Sequence, residues 1–153
     1  PPPPPPPPPH CPYTTLFRSE EWQWIWERAK PIWCGDTQGL VAVDDNGKIA
    51  AMCIFDSWTV DGVSVHFAID NPMAIRRGLI HEVCRHAFVQ NNRTKIFGLV
   101  PDNKEKVLAL DIKLGFYEVT RIPDAIQDGI GYIVLRMDRE NCFWIPEEAR
   151  KVA

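Results

Sequence analysis

From Glu20 to Lys30 the apolar residues Trp22, Ile25, Trp26 and Ala29 fall at the i, i+3, i+4, i+7 spacing of one helix face. Ser19 stands where an N-cap belongs, and Pro31 ends the pattern. The period then shortens to two. Gly39 to Val43 and Lys48 to Phe55 read as strands, joined by Asp44-Asp45-Asn46-Gly47, a hairpin signal. A third strand over Gly62 to Ile69 turns Val63, Val65, Phe67 and Ile69 one way and Ser64, His66 and Ala68 the other.

Asp70-Asn71-Pro72 reads as a helix entry, and one helix is expected from there to Val89 or Gln90, burying Ile75, Leu79, Val83 and Ala87. Thr94 to Val100 is a continuous apolar run, the pattern of a strand covered on both faces. Asp102-Asn103 is the expected cap of a second long helix through Lys113, with Gly115 as its stop. Phe116 to Arg121 and Gly131 to Met137 are closing strands, linked by a loop holding Pro123, Asp128 and Gly129. From Pro146 the tail is either one more short helix or frayed. The order α-β-β-β-α-β-α-β-β predicts an α/β (α+β) fold with a mixed, mostly antiparallel sheet and helices on both faces.

The 153 residues fit one domain, expected over 20–145 with a tail at 146–153. A hydrophobic share of 45% against 24% charged residues belongs to a globular protein with a core. The net charge of −3 supplies no positive field for nucleic acid, and no apolar run approaches the ~20 residues of a membrane span. Five cysteines, far apart and odd in number, show no metal-ligand spacing, which points to reduced thiols and a cytoplasmic protein. No metal site is expected: His81 and His86, five apart, do not share a helix face.

The first nineteen residues stand apart. Nine prolines are followed by Pro12 to Ser19, which reads Pro-Tyr-Thr-Thr-Leu-Phe-Arg-Ser. The string CCC TAC ACG ACG CTC TTC CGA TCT encodes those residues and resembles the end of a sequencing adapter. Residues 1–19 are therefore read as a non-native leader that is no part of the fold, and the domain as truncated at its N-terminus.

The segment Leu99-Val100-Pro101-Asp102-Asn103, with the exit Lys113-Leu114-Gly115-Phe116, resembles the GNAT acetyltransferases. Ile133 to Met137, Arg139-Glu140-Asn141-Cys142 and Trp144 resemble the end of a small GNAT subgroup common in phages and proteobacteria, as does the stretch Gly39 to Asp70 with its Asp56-x-Trp58 pair. That resemblance implies transfer of an acetyl group from acetyl-coenzyme A to an amine acceptor, a small molecule or a protein, in a chain able to form a homodimer. It places Phe67, Ala68 and Ile69 against the pantetheine, and Arg76, Arg77, Gly78 and Leu79 at the diphosphate, with Asn103 and Lys104 also on the cofactor. The family's loop is Gln/Arg-x-x-Gly-x-Gly/Ala; Arg76-Arg77-Gly78-Leu79-Ile80 keeps cations and one glycine but not the spacing. Where many members carry an acid-catalytic tyrosine, this chain has Asp111, read as a surface residue paired with lysines.

Acetyl transfer also needs a base, and His66 is the only histidine on the candidate strand. Its other reading is a solvated outer-face residue, as a solvated helix face is for the two arginines. Tyr117 and Tyr132 read as sheet packing, and the alternating Trp22, Trp24 and Trp26 require a helix to expose at least one of them. A non-catalytic module on the same fold, a phage virion or host-interaction protein, is the alternative.

Overall fold

The computed structural model describes residues 19–151; the leader expected over residues 1–19 lies almost wholly outside them. Contacts gather into two compact units. One reaches to Trp58 and resumes over Val65–Val83; the other takes Thr59–Ser64 and the chain from Cys84 onward.

In the first unit, α1 (Ser19–Ala29) is the helix that the apolar stripe predicts, starting one residue early so that Ser19 is already helical. Trp22 and Ile25 are buried against Met52 and Ile54 of β2 (Ile49–Asp56) and Ala68 of β3 (Gly62–Ile69). Trp24, Trp26 and Trp33 pack around that cluster, so none of the three alternating tryptophans stands free. Trp24 is capped by the Arg28 guanidinium 3.9 Å from its ring centroid, a cation–π contact that the stripe alone does not reveal. Arg28 also grips the Asp70 carboxylate through two bonds of 2.9 and 2.7 Å, tying the helix to the end of β3.

β1 (Gln38–Val43) pairs antiparallel with β2, from Gln38↔Phe55 to Val43↔Ile49, with a bulge at Ala42/Val43. The hairpin turn is where Asn-Gly puts it. Asp44 Oδ1 accepts from the backbone N–H groups of Asn46 and Lys48, both at 2.9 Å. Ala51, Cys53 and Phe55 are as buried as Met52 and Ile54, so β2 is covered on both faces.

The single helix expected after Pro72 is two. The side chain of Asn71 receives the Met73 N–H at 3.0 Å and starts α2 (Met73–Arg76), which stops after one turn. Gly78 takes φ +107°, left-handed backbone that an L side chain resists, and the chain sets off again as α3 (Leu79–Cys84). Its helical course continues into a π-type turn over Arg85–Gln90, ending where the periodicity predicts.

In the second unit, β4 (Lys95–Pro101) pairs antiparallel with β6 (Ile130–Asp138), from Lys95↔Asp138 to Pro101↔Tyr132. It pairs parallel with the start of β3 over three positions, Gly62↔Lys95 to Ser64↔Phe97. The overall strand order is β1-β2-β3-β4-β6-β5, a mixed sheet in which β3 and β4 pair parallel and β1–β2, β4–β6 and β5–β6 pair antiparallel. β4 is not covered on both faces as its apolar run suggests: Ile96 and Val100 are buried, but Leu99 is 48% exposed. An unbroken apolar run reads the same whether one face is covered or two, because the pattern carries no information about which layers exist.

The helix α4 (Glu105–Lys113) begins at Lys104 rather than at an Asx cap, with no side-chain capping bond. Asp102 is spent elsewhere, its Oδ2 receiving the Gly131 N–H at 3.0 Å. Gly115, at φ +103°, ends the helix as expected, and the Phe116 N–H closes back on the Asp111 carbonyl at 3.1 Å. Asp111 itself is not a lysine-paired surface group. Among the described residues its carboxylate has no partner, and burial pushes its pKa up to about 6.

β5 (Tyr117–Gln127) runs straight through the expected loop and its Pro123, and turns back only at Asp128-Gly129. Pro123 is tolerated because β5 is an edge strand, with every residue exposed. The tail is a short helix, α5 (Glu147–Arg150), held by buried Arg139, which donates to the Ala149 carbonyl and to Asn92 Oδ1 at 2.7 Å each.

Three outcomes test these packing statements. Ile25→Ala should lower the unfolding free energy by about 2–5 kcal/mol, as a fully buried aliphatic loss does; chemical denaturation reads it, and a change within error would show that α1 does not seat on β2 and β3. Gly131→Ala should destabilise by about 1–3 kcal/mol, because its Cβ would stand 2.3 Å from the Ile122 carbonyl oxygen. Asp111 titrates higher in the fold than the ~3.9 of an unfolded carboxylate, so the unfolded chain releases this proton first as pH rises. Its contribution to stability therefore falls between about pH 4 and about pH 6 and stays low above that. Asp111→Asn should gain stability over wild type progressively across that window, and a difference independent of pH would show that the carboxyl is not held neutral by burial.

Candidate active site

His66 lies on β3 on the same face as Ala68, and Ala68 is in the cluster beneath Trp22 and Ile25. Asp56, the last residue of β2, falls on the matching face two and four residues beyond Ile54 and Met52. The consequence is a carboxylate–imidazole pair, His66 Nε2 to Asp56 Oδ2 at 2.8 Å. Asp56 keeps only 9% of its side-chain exposure and His66 31%, so a buried carboxylate holds one edge of a half-exposed ring. His66 is therefore not simply a solvated outer-face residue.

The other predicted positions fall into three groups. Phe67 and Ile69 are half-buried on the opposite face of β3 from His66, while Ala68 is consumed by core packing. Arg77, Gly78 and Leu79 line a cavity of about 280 Å³ in the first unit. Its walls include Leu40, Ala42, Ala50, Met73 and Ala74, with Asp44, Asn71 and Glu82 as polar members beside Arg77; His66 is not among its lining. Asn103 and Lys104 belong to the second unit, exposed before α4, where the Lys104 carbonyl takes the Val107 and Leu108 N–H groups at 3.0 Å.

The two arginines differ in a way their adjacency hides. Arg77 is engaged with Asp45 of the hairpin turn through bonds of 3.1 and 3.3 Å. Arg76 is exposed and makes no side-chain bond among the described residues. An anion near this turn meets one free guanidinium and one already neutralised. Gly78 leaves open space, with nothing within 4 Å of where a Cβ would stand. The Glu82 N–H bonds the Gly78 carbonyl at 3.0 Å, which marks the helix start and leaves the N–H groups before it outside the intrahelical ladder. A largely apolar cavity with an open glycine turn and helix-start donors suits a phosphate carrying an apolar chain, with the exposed Arg76 just outside the lining and the Asp44 and Glu82 carboxylates within it.

Asp56 and Asp45 are the partners of His66 and Arg77 that strand-by-strand reading passes over. Asp56 ends β2 and Asp45 lies in the β1–β2 hairpin turn, where strand alternation gives at most a face and never a partner. Among the described residues no group of three or more His, Cys, Asp or Glu side chains is placed to hold a metal ion. His81 Nδ1 lies 3.5 Å from Glu82 of its own helix, and His86 Nδ1 lies 2.9 Å from Gln90. Among the described residues no helix is long and apolar enough to cross a membrane.

No known family profile matches the chain, and no curated protein sequence does. Solved structures match it. Two variants of the spermidine N-acetyltransferase SpeG from Vibrio cholerae superpose with TM-scores of 0.65 and 0.64 at 14% identity. They cover 86% of this chain and 78% and 80% of theirs. A chimera of that enzyme with hSSAT superposes with a TM-score of 0.61 at 15% identity, over 79% of this chain and 76% of its own. At such identity the likeness speaks for the architecture, and the chain has the GNAT acyl-CoA N-acyltransferase fold.

Proposed function

We propose that this chain is an N-acetyltransferase that takes acetyl-coenzyme A as donor and an amine as acceptor. The observation that carries the reading is the GNAT fold together with the open turn at Gly78, which lines a largely apolar cavity at the start of α3, with the exposed Arg76 two residues before it in the chain. In it, Arg76 and the turn Gly78-Leu79 hold the diphosphate end, and Arg77 contributes less because Asp45 occupies it. The end of β3, Phe67 to Ile69, lends main-chain groups to the pantetheine arm. The resemblance also assigns Asn103 and Lys104 to the cofactor; they belong to the second unit, and the reading does not rest on them. His66 is the general base that accepts the proton of the attacking amine. The acyl donor brings an activated thioester, and the chain's own part is to bind it, orient the amine and move the proton. Because the structural neighbours are described as spermidine or spermine N-acetyltransferases, polyamines head the acceptor panel.

The edge strand β5, with Tyr117, Val119, Ile122 and Ile126 all exposed, is consistent with a homodimer.

The test is a thermal melt of the full chain with and without acetyl-coenzyme A. A ligand that binds only the native state stabilises by about 2.7 kcal/mol at a hundredfold excess over Kd, so a clear, dose-dependent rise in Tm is expected. A well-folded protein whose Tm ignores the ligand belongs to the non-catalytic reading of this fold. Arg76→Ala should weaken the cofactor about tenfold or more, the cost of a charge-assisted hydrogen bond, and Arg77→Ala distinctly less. Equal losses at the two positions would contradict the division of labour between them.

A further inference from the structure

We infer that Asp56 is a positioning residue that fixes His66 in its Nε2–H form and thereby makes Nδ1 the nitrogen that takes the substrate's proton. This deepens the acetyltransferase reading and rests on it for the identity of the substrate. The geometry is one-sided. The Asp56 carboxylate can only accept, so the Nε2 that lies 2.8 Å from it carries the hydrogen. In a neutral ring that leaves the lone pair on Nδ1, which has no hydrogen-bond partner among the described residues.

Asp56 is a costly residue to place where it is. Its side chain is 9% exposed at the end of a strand whose other members are all apolar, and an unpaired carboxylate there would carry a large desolvation cost. Purely structural needs at this position would be met by another aliphatic side chain. The strand carrying Asp56 is covered on both faces and Ala68, two residues from His66, is buried beneath α1, so the register that brings the two side chains together is held by the core. The ring thus has a charge on one edge, a free nitrogen on the other, and a backbone that cannot slide.

Of the titratable groups on the packed elements, Cys53 of β2 feels the Asp56 charge, while α1 carries Glu20, Glu21, Glu27 and Arg28, of which Glu21 is buried. Cys53 is held protonated, its thiol pushed well up by burial and by the Asp56 charge, so it competes for no proton.

In the step itself the amine nitrogen forms the new C–N bond to the acetyl carbonyl carbon, and the C–S bond breaks with its electron pair going to sulfur. The proton lost by the amine goes to Nδ1, where the Asp56 carboxylate stabilises the resulting imidazolium. That proton is then available to the departing thiolate.

The experiment uses full-length ¹⁵N-labelled protein and has two readouts. Long-range proton–nitrogen spectra at about pH 8.5, above the ~6.5 of an unperturbed ring, should show His66 as the Nε2–H tautomer in wild type. Asp56→Asn and Asp56→Ala should each shift it toward a mixture. A wild-type ring in the Nδ1–H form overturns the inference outright. Steady-state kinetics with the best amine should show His66→Gln and Asp56→Asn lowering kcat at least tenfold, with the acetyl-coenzyme A Kd within twofold of wild type. Asp56→Glu should recover part of kcat. A folded Asp56→Asn with unchanged kcat also overturns the inference. The tautomer is read without turnover, so a chain that transfers no acetyl group defeats the acetyltransferase reading while the spectrum still decides the role of Asp56.

Discussion

The seating of α1 on β2 and β3 governs what the first unit can do. Trp22 and Ile25 press on Met52, Ile54 and Ala68, and that contact decides which set of alternating side chains on each strand turns toward the helix. With a side-chain period of two, a slip of one residue would carry His66 and Asp56 to the opposite face. The dyad therefore exists because an aliphatic and aromatic cluster elsewhere on the same strands holds the register. Arg28 reinforces it from the helix side: its guanidinium covers Trp24 and binds the Asp70 carboxylate, lowering the pKa of Asp70 through that hydrogen bond. The pair is largely exposed, so it contributes orientation more than stability.

Immediately after Asp70 the chain changes from strand to turn to helix within a few residues. Asp70 and Asn71 both give their N–H groups to the Ala50 carbonyl, at the bulge of the β1–β2 hairpin. Asn71 then starts α2, and Gly78 stops it. Each of these is a local device, yet together they set a cavity lined by Leu40, Ala50 and Arg77 at a helix start. The positive φ at Gly78 is the pivotal element. An alanine there would face strained backbone although no atom stands in its way, so the constraint is conformational and not steric.

The second unit follows a different logic. Its core is the buried face of β6, where Ile133, Leu135 and Met137 alternate with half-exposed residues, together with Ile96, Val100, Leu114 and Phe116. Polar residues close its seams. Trp144 Nε1 donates to the Leu114 carbonyl at 2.7 Å, and Arg139 is buried only because Asn92 and the Ala149 carbonyl take its donors. Asp111 lacks such relief, which is why its carboxyl rises toward neutrality. The position that the family resemblance marks as unusual is thus also an electrostatically strained one.

Much of the fold was legible in the sequence: the stripe from Trp22 to Ala29, the Asn-Gly hairpin, the strand bearing His66 and the glycine stop at Gly115. These are local signals, periodicity and backbone preference, and they act over a few residues. Three things were decided by tertiary structure alone. Whether an apolar run such as β4 is covered on one face or both depends on layers contributed by distant segments. Which of two adjacent arginines stays free depends on Asp45, which a hairpin brings in from thirty-two positions away. The pairing of Asp56 with His66 depends on strands being neighbours, and no pattern within either strand states its partner. Sequence determines which way a side chain faces; only the assembled sheet determines what it meets there, because contact is a property of non-local chain closure and not of local period.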